Sequence, residues 1–172
     1  MDLMQVLLDA MGNPLSYSVI FFIYVVLAAV ILPIPVEIGL FNPELPQPLR
    51  WVLPIVILAA GKGVGAYIVY NIGYRARRKL KELSSGGELT TRIVEAAEGF
   101  VRRYGHIGLF IIMSIPLMID SVSLYLFSLL NPHDREDALA ERTFVVINVA
   151  AGAVRGVIIL AVAYWVDVRL TG

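Results

Sequence analysis

The sequence predicts an all-α integral membrane protein made of two inverted repeats. Each repeat is a re-entrant broken-helix hairpin followed by a transmembrane helix, and interfacial amphipathic helices complete the chain. Three observations carry this reading. The 172 residues are 58% hydrophobic and only 16% charged, with mean hydropathy +0.77, whereas a soluble domain carries roughly 25% charged residues. The apolar residues gather in four long runs, 17–41, 51–72, 107–130 and 144–166. Two of those runs are interrupted by proline and then an acid, as L-P-I-P-V-E-I-G over 32–39 and as M-S-I-P-L-M-I-D over 113–120. Pro33, Pro35 and Pro116 break helices because proline lacks the backbone donor and clashes with the preceding turn. Broken backbone and a charge are both costly in hydrocarbon, so they belong against protein or a wet cavity.

Residues 1–13 form the first element, an N-terminal interfacial helix. Leu3, Leu7, Leu8 and Met11 share one helical face, and Gly12 and Pro14 mark the stop. Residues 14–172 form a single membrane domain. Its first repeat covers about 16–73: the broken run, a proline-rich turn over 42–48, and a span from Trp51 to Ile72. That span is long enough to cross, since about 20 residues cover the hydrocarbon core. Trp51 marks an interface. Residues 74–105 are a polar linker that opens with the basic run R-A-R-R-K-L-K over 75–81 and closes with an amphipathic helix over 88–104. The second repeat covers about 106–168: a broken run, a polar loop over 131–142, and a final span ending near Trp165.

The two repeats share an order of chemistry. Each places an acid after its proline break, then a glycine pair enclosing a cation. The first has Glu37, then Gly61 and Gly65 around Lys62; the second has Asp120, then Gly152 and Gly156 around Arg155. Interrupted apolar segments in matching positions of two halves point to a transporter-type site at the repeat interface. Glu37, Lys62, Asp120 and Arg155 are therefore the expected substrate or ion pathway. The bland alternative is two structural ion pairs that fix helix register. The glycines read first as helix-packing positions.

Charge sets the expected topology. Of 14 Lys and Arg, two lie within spans. If both broken runs re-enter, residues 74–143 hold ten of the remaining twelve, and only Arg50 and Arg169 face the other side. If all four runs cross, the split is nine to three. Either way residues 74–105 are cytoplasmic by the positive-inside rule. The expected location is the plasma membrane, and re-entry puts both termini outside.

The same residues resemble the DedA / VTT-domain (SNARE-associated Golgi protein) superfamily. The resemblance is carried by P-I-P-V-E over 33–37, G-x-G-x-G-A-Y-x-x-Y-N-I-G over 61–73 and F-V-R-R-Y-G over 100–105. Ile115–Pro116 and Phe144, Asn148 and Gly152 of the last span complete it. It covers roughly residues 17–168. It implies re-entrant hairpins in inverted repeats and a role in moving lipids or lipid-linked carriers, with proton coupling. The family's second hairpin usually reads R-F-x-P-G-x-R. Here Met113 and Ile119 stand at the arginine positions and Leu117 at the glycine position. That favours a divergent branch, either an archaeal one or one near the small multidrug-export proteins, and counts against an undecaprenyl-phosphate-like substrate.

The leading expectation is a scramblase-like transporter of lipids or other amphiphiles, with Glu37 and Asp120 lining a polar groove. Carboxylates held out of water make proton coupling an expectation as well. A non-transporting, membrane-shaping scaffold and a small-molecule exporter are the alternatives. Membrane lipids, including anionic headgroups, are the expected partners; a homo-oligomer is compatible, and no nucleic-acid patch stands apart from the basic run. No enzyme, cofactor or metal site is expected. There is no cysteine. His106 and His133 lack ligand-spaced partners, and G-K-G-V-G over 61–65 lacks the P-loop spacing. Asp2 stands where a signal peptide would carry basic residues, so none is expected.

Overall fold

The computed structural model describes residues 3–31, 34–83, 103–131 and 139–171, the last residues of its two longest helices by backbone alone. Pro33, most of the amphipathic helix expected over 88–104, and most of the 131–142 loop lie outside the described residues. The described chain is all-helical: α1 (Leu3–Asp9), α2 (Pro14–Val30), a 3-10 helix (Val36–Leu40), α3 (Leu49–Leu83), α4 (103–114), α5 (Asp120–Leu130) and α6 (Glu141–Thr171).

α2 starts where local chemistry favours it. Asn13 extends its backbone, and its side-chain oxygen accepts the N–H groups of Leu15 and Ser16, while Pro14 needs no donor at the first helical position. α2 ends at Val30, before the prolines. The chain then doubles back along it. Tyr24 donates its hydroxyl to the carbonyl of Pro35 at 3.2 Å, Tyr17 to that of Gly39 at 2.5 Å, and the Asn42 amide to that of Met11 at 3.2 Å. Later residues thus meet earlier ones, as in a hairpin. Gly39 permits the return, because a Cβ there would fall inside the buried Phe21 ring.

α4 and α5 form a second reversal. Pro116 interrupts the helix, and Leu117 takes φ +61, a left-handed conformation unusual for a residue other than glycine. Gly108 then lies against Phe127 across the hairpin.

α3 and α6 run antiparallel and make the most extensive contact among the described elements. Trp51 meets Tyr164 edge-on at 6.2 Å, Ile55 meets Gly156, Ala59 meets Gly152, and Tyr70 stacks obliquely on Phe144 at 5.3 Å. Both helices contain stretches long and apolar enough to cross a membrane, Leu49–Ala76 and Glu141–Val166. α3 does not stop near residue 73 as the sequence reading has it. It stays helical to Leu83, through R-A-R-R-K-L-K, because arginine, lysine, alanine and leucine are all strong helix formers.

Two apolar cores are stacked along the α3–α6 pair. One joins Leu7, Tyr17, Phe21, Leu40 and Leu58 beside the first hairpin. The other joins Val69, Leu109, Met113, Leu124 and Phe144 beside the second. α1 is tied to the first core through Leu7, which is fully buried, while Leu8 of the same expected stripe is half exposed.

Gly39→Val should cost about 1–3 kcal/mol by overpacking against Phe21. Gly12→Ala meets nothing within 4 Å and should be neutral. Thermal unfolding in detergent checks the contrast.

Candidate functional site

The four charges that the sequence places deep in apolar runs converge at the boundary between the two cores. Glu37 comes from the second residue of the 3-10 helix, and Asp120 from the first turn of α5, where the helix dipole favours a carboxylate. Lys62 and Arg155 come from the middles of α3 and α6. All four are buried: Lys62 is 0% exposed, Arg155 1%, Asp120 6% and Glu37 7%. An open groove lined by the two acids is therefore absent from this conformation. The carboxylates face their cations in a sealed cluster of zero formal charge.

The pairing crosses between the two halves of the chain. Arg155 bridges both acids, donating from Nε and Nη2 to Oε1 of Glu37 and from Nη1 to Oδ1 of Asp120 at 2.7 Å. Lys62 Nζ lies 3.2 Å from the same Asp120 oxygen. The planar guanidinium reaches the two carboxylates from different nitrogens in a rigid geometry that a lysine ammonium does not reproduce. Buried ions of this kind lose their hydration, so the arrangement persists only because each charge has a close partner.

Backbone groups of the second break complete the cluster. Lys62 Nζ donates to the Met113 carbonyl at 2.9 Å, and Arg155 Nη2 to the Met118 carbonyl at 3.1 Å. The Leu117 N–H donates to Oε1 of Glu37 at 2.9 Å. The helix break thus exposes carbonyls that a continuous helix would have consumed. The left-handed turn at Leu117 aims its amide across at the first hairpin. Sequence reasoning missed these main-chain ligands; the proline that frees them was the available signal.

Of the expected break residues, Pro35 caps the 3-10 helix and Pro116 sits at the turn before Leu117. The glycines divide by neighbour. Gly61 and Gly65 pack against α2 at Val25 and Ala29, and Gly152 and Gly156 pack against α3. Gly152 also makes room for the buried lysine, since a Cβ there would lie 2.9 Å from Cδ of Lys62.

Two buried side-chain atoms lack a hydrogen-bond partner among the described residues: Oε2 of Glu37 and Oδ1 of Asn148. All donors to Glu37 thus crowd onto one carboxylate oxygen and leave the other bare. No group of three metal-ligating side chains occurs among the described residues. Comparison with protein-family models, curated proteins and solved structures finds no match.

Arg155→Met should lower stability by about 3–5 kcal/mol, because it strands two buried carboxylates. Arg155→Lys should recover only part of that loss, as read from thermal midpoints in detergent. Leu117→Gly should keep or slightly raise the midpoint by relieving the left-handed strain. Leu117→Pro, which forbids that φ and removes the amide, should lower it sharply.

Proposed function

We propose that this chain is an integral membrane protein that moves amphiphiles, lipids or lipid-linked carriers among them, across a bilayer between its two hairpin tips. The observation that carries the reading is the position and neutrality of the buried cluster. Lys62 lies eleven residues from both Trp51 and Gly73, and Arg155 eleven from Phe144 and ten from Trp165. At the α-helical rise these spacings are about 15–17 Å, half the hydrocarbon thickness. Four ionisable groups and a broken backbone therefore meet near the midplane if α3 and α6 cross. Groups so costly at that depth are kept where a polar cargo must pass or a proton must be held.

The surface supports the membrane setting. Ile107, Val146, Val157, Val162 and Leu15 are each more than half exposed, an apolar exterior that suits lipid better than water. α5, with 11 residues, is about 16 Å long and too short to cross. In this proposal the reversals after α2 and α4 are the re-entrant hairpins of two inverted repeats, which the shortness of α5 supports. Residues 74–105 lie on the cytoplasmic side of the plasma membrane. The DedA / VTT resemblance implies the same class of cargo, and this branch replaces the family's paired arginines with Arg155 reaching in from the last span.

Transport then requires the tips to part. The contacts that hold them are the Leu117 amide on Glu37 and the Arg155 bridge. In proteoliposomes carrying a headgroup-labelled lipid, the wild-type chain should equilibrate label between leaflets. The pair Glu37→Gln with Lys62→Gln removes one charge of each sign and keeps the cluster neutral. It should slow that exchange at least about tenfold, in line with the loss of a positioned charge, while remaining folded. Wild-type rates from this pair would remove the proposed role.

A further inference from the structure

A second site lies away from the buried cluster, at the end of the α3–α6 pair opposite the basic run. A cavity of about 480 Å³ opens there, lined among others by Asn42, Gln47, Arg50, Trp51 and Tyr164. It adjoins a second space of about 360 Å³ that runs down the α3–α6 seam past Ile55 and Val157. Gln47, Trp51, Leu160 and Tyr164 line both. The two spaces thus lie side by side, the first with Asn42, Gln47 and Arg50 among its lining and the second mainly apolar.

Arg50 is the charged group of the mouth, and it is held in place. Its Nε donates to the Leu45 carbonyl at 3.2 Å and its Nη2 to the Pro43 carbonyl at 2.6 Å. Those two bonds fix the plane of the guanidinium. Among the described residues no carboxylate pairs with Arg50. A fixed, half-buried guanidinium recognises a phosphate better than a mobile ammonium does. The edge-on pair Trp51 and Tyr164 flanks it, and such rings favour the headgroup level of a bilayer.

The geometry points to a binding site for one anionic phospholipid, its phosphate on Arg50 and an acyl chain along the seam between Ile55 and Val157. Charge complementarity selects the occupant: a zwitterionic headgroup carries a cation that offsets its phosphate, an anionic headgroup brings a net charge to Arg50, and a free phosphate leaves the apolar length unfilled. The inference rests on the reading that α3 and α6 cross a bilayer. It does not need transport, because binding can be measured without it.

The test uses the full chain in detergent with Trp165→Phe, which leaves Trp51 as the sole tryptophan. Brominated-chain phosphatidylglycerol and phosphatidylcholine then quench that tryptophan when they occupy the seam. Phosphatidylglycerol should bind about fivefold more tightly, as one basic residue at a headgroup provides. Arg50→Gln should abolish the preference and Arg50→Lys should retain part of it. Val157→Phe should weaken both lipids and keep their ratio. The transport-defective Glu37→Gln, Lys62→Gln protein should bind as the parent does. Equal affinities in the parent, a preference that survives Arg50→Gln, or displacement of the lipid by inorganic phosphate would each overturn the site.

Discussion

Everything else in this fold is arranged around one guanidinium. Arg155 bridges Glu37 and Asp120 in a space with 1% of its own surface exposed. Removed from water, that cation is tolerable only with close anions, and each anion only with a close cation. The constraint explains why both hairpins must reach the α3–α6 seam at one level. It also explains the glycine at 152, where the lysine stem needs the volume a methyl group would occupy.

The arrangement couples elements that are far apart in sequence. Glu37 and Arg155 are separated by 118 positions, and Leu117 and Glu37 by 80. Neither hairpin tip is satisfied by itself. The first supplies a carboxylate; the second supplies an amide and two carbonyls. In a membrane this dependence would be sharper, since lipid gives no hydrogen bonds to a broken backbone. Apolar packing by itself would not hold the tips together there, because lipid tails are as apolar as leucine. Close glycine contacts and polar links supply that cohesion.

The bare Oε2 of Glu37 fits this picture. Three donors converge on its sibling oxygen, so the carboxylate is strongly held yet keeps one acceptor unused among the described residues. Together with the left-handed backbone at Leu117, it gives the tip contact a strained, under-satisfied character. Such features gather where proteins work rather than where they merely pack.

Much was legible from the chain alone. Hydropathy marked the two long apolar helices, proline marked both reversals, and four ionisable residues stood out against apolar surroundings, because each is costly locally and so visible locally. The partners were not legible. The sequence offers two acids and two cations without saying which meet; Arg155 takes both acids and Lys62 turns to Asp120 and the Met113 carbonyl. Left-handed geometry at Leu117 was hidden because its side chain does not favour it; only the demand for an amide opposite Glu37 makes it worthwhile. The sequence by itself determined which residues could not face lipid unaided. Tertiary structure decided who satisfies them, since that depends on where two hairpins and an antiparallel helix pair meet in space.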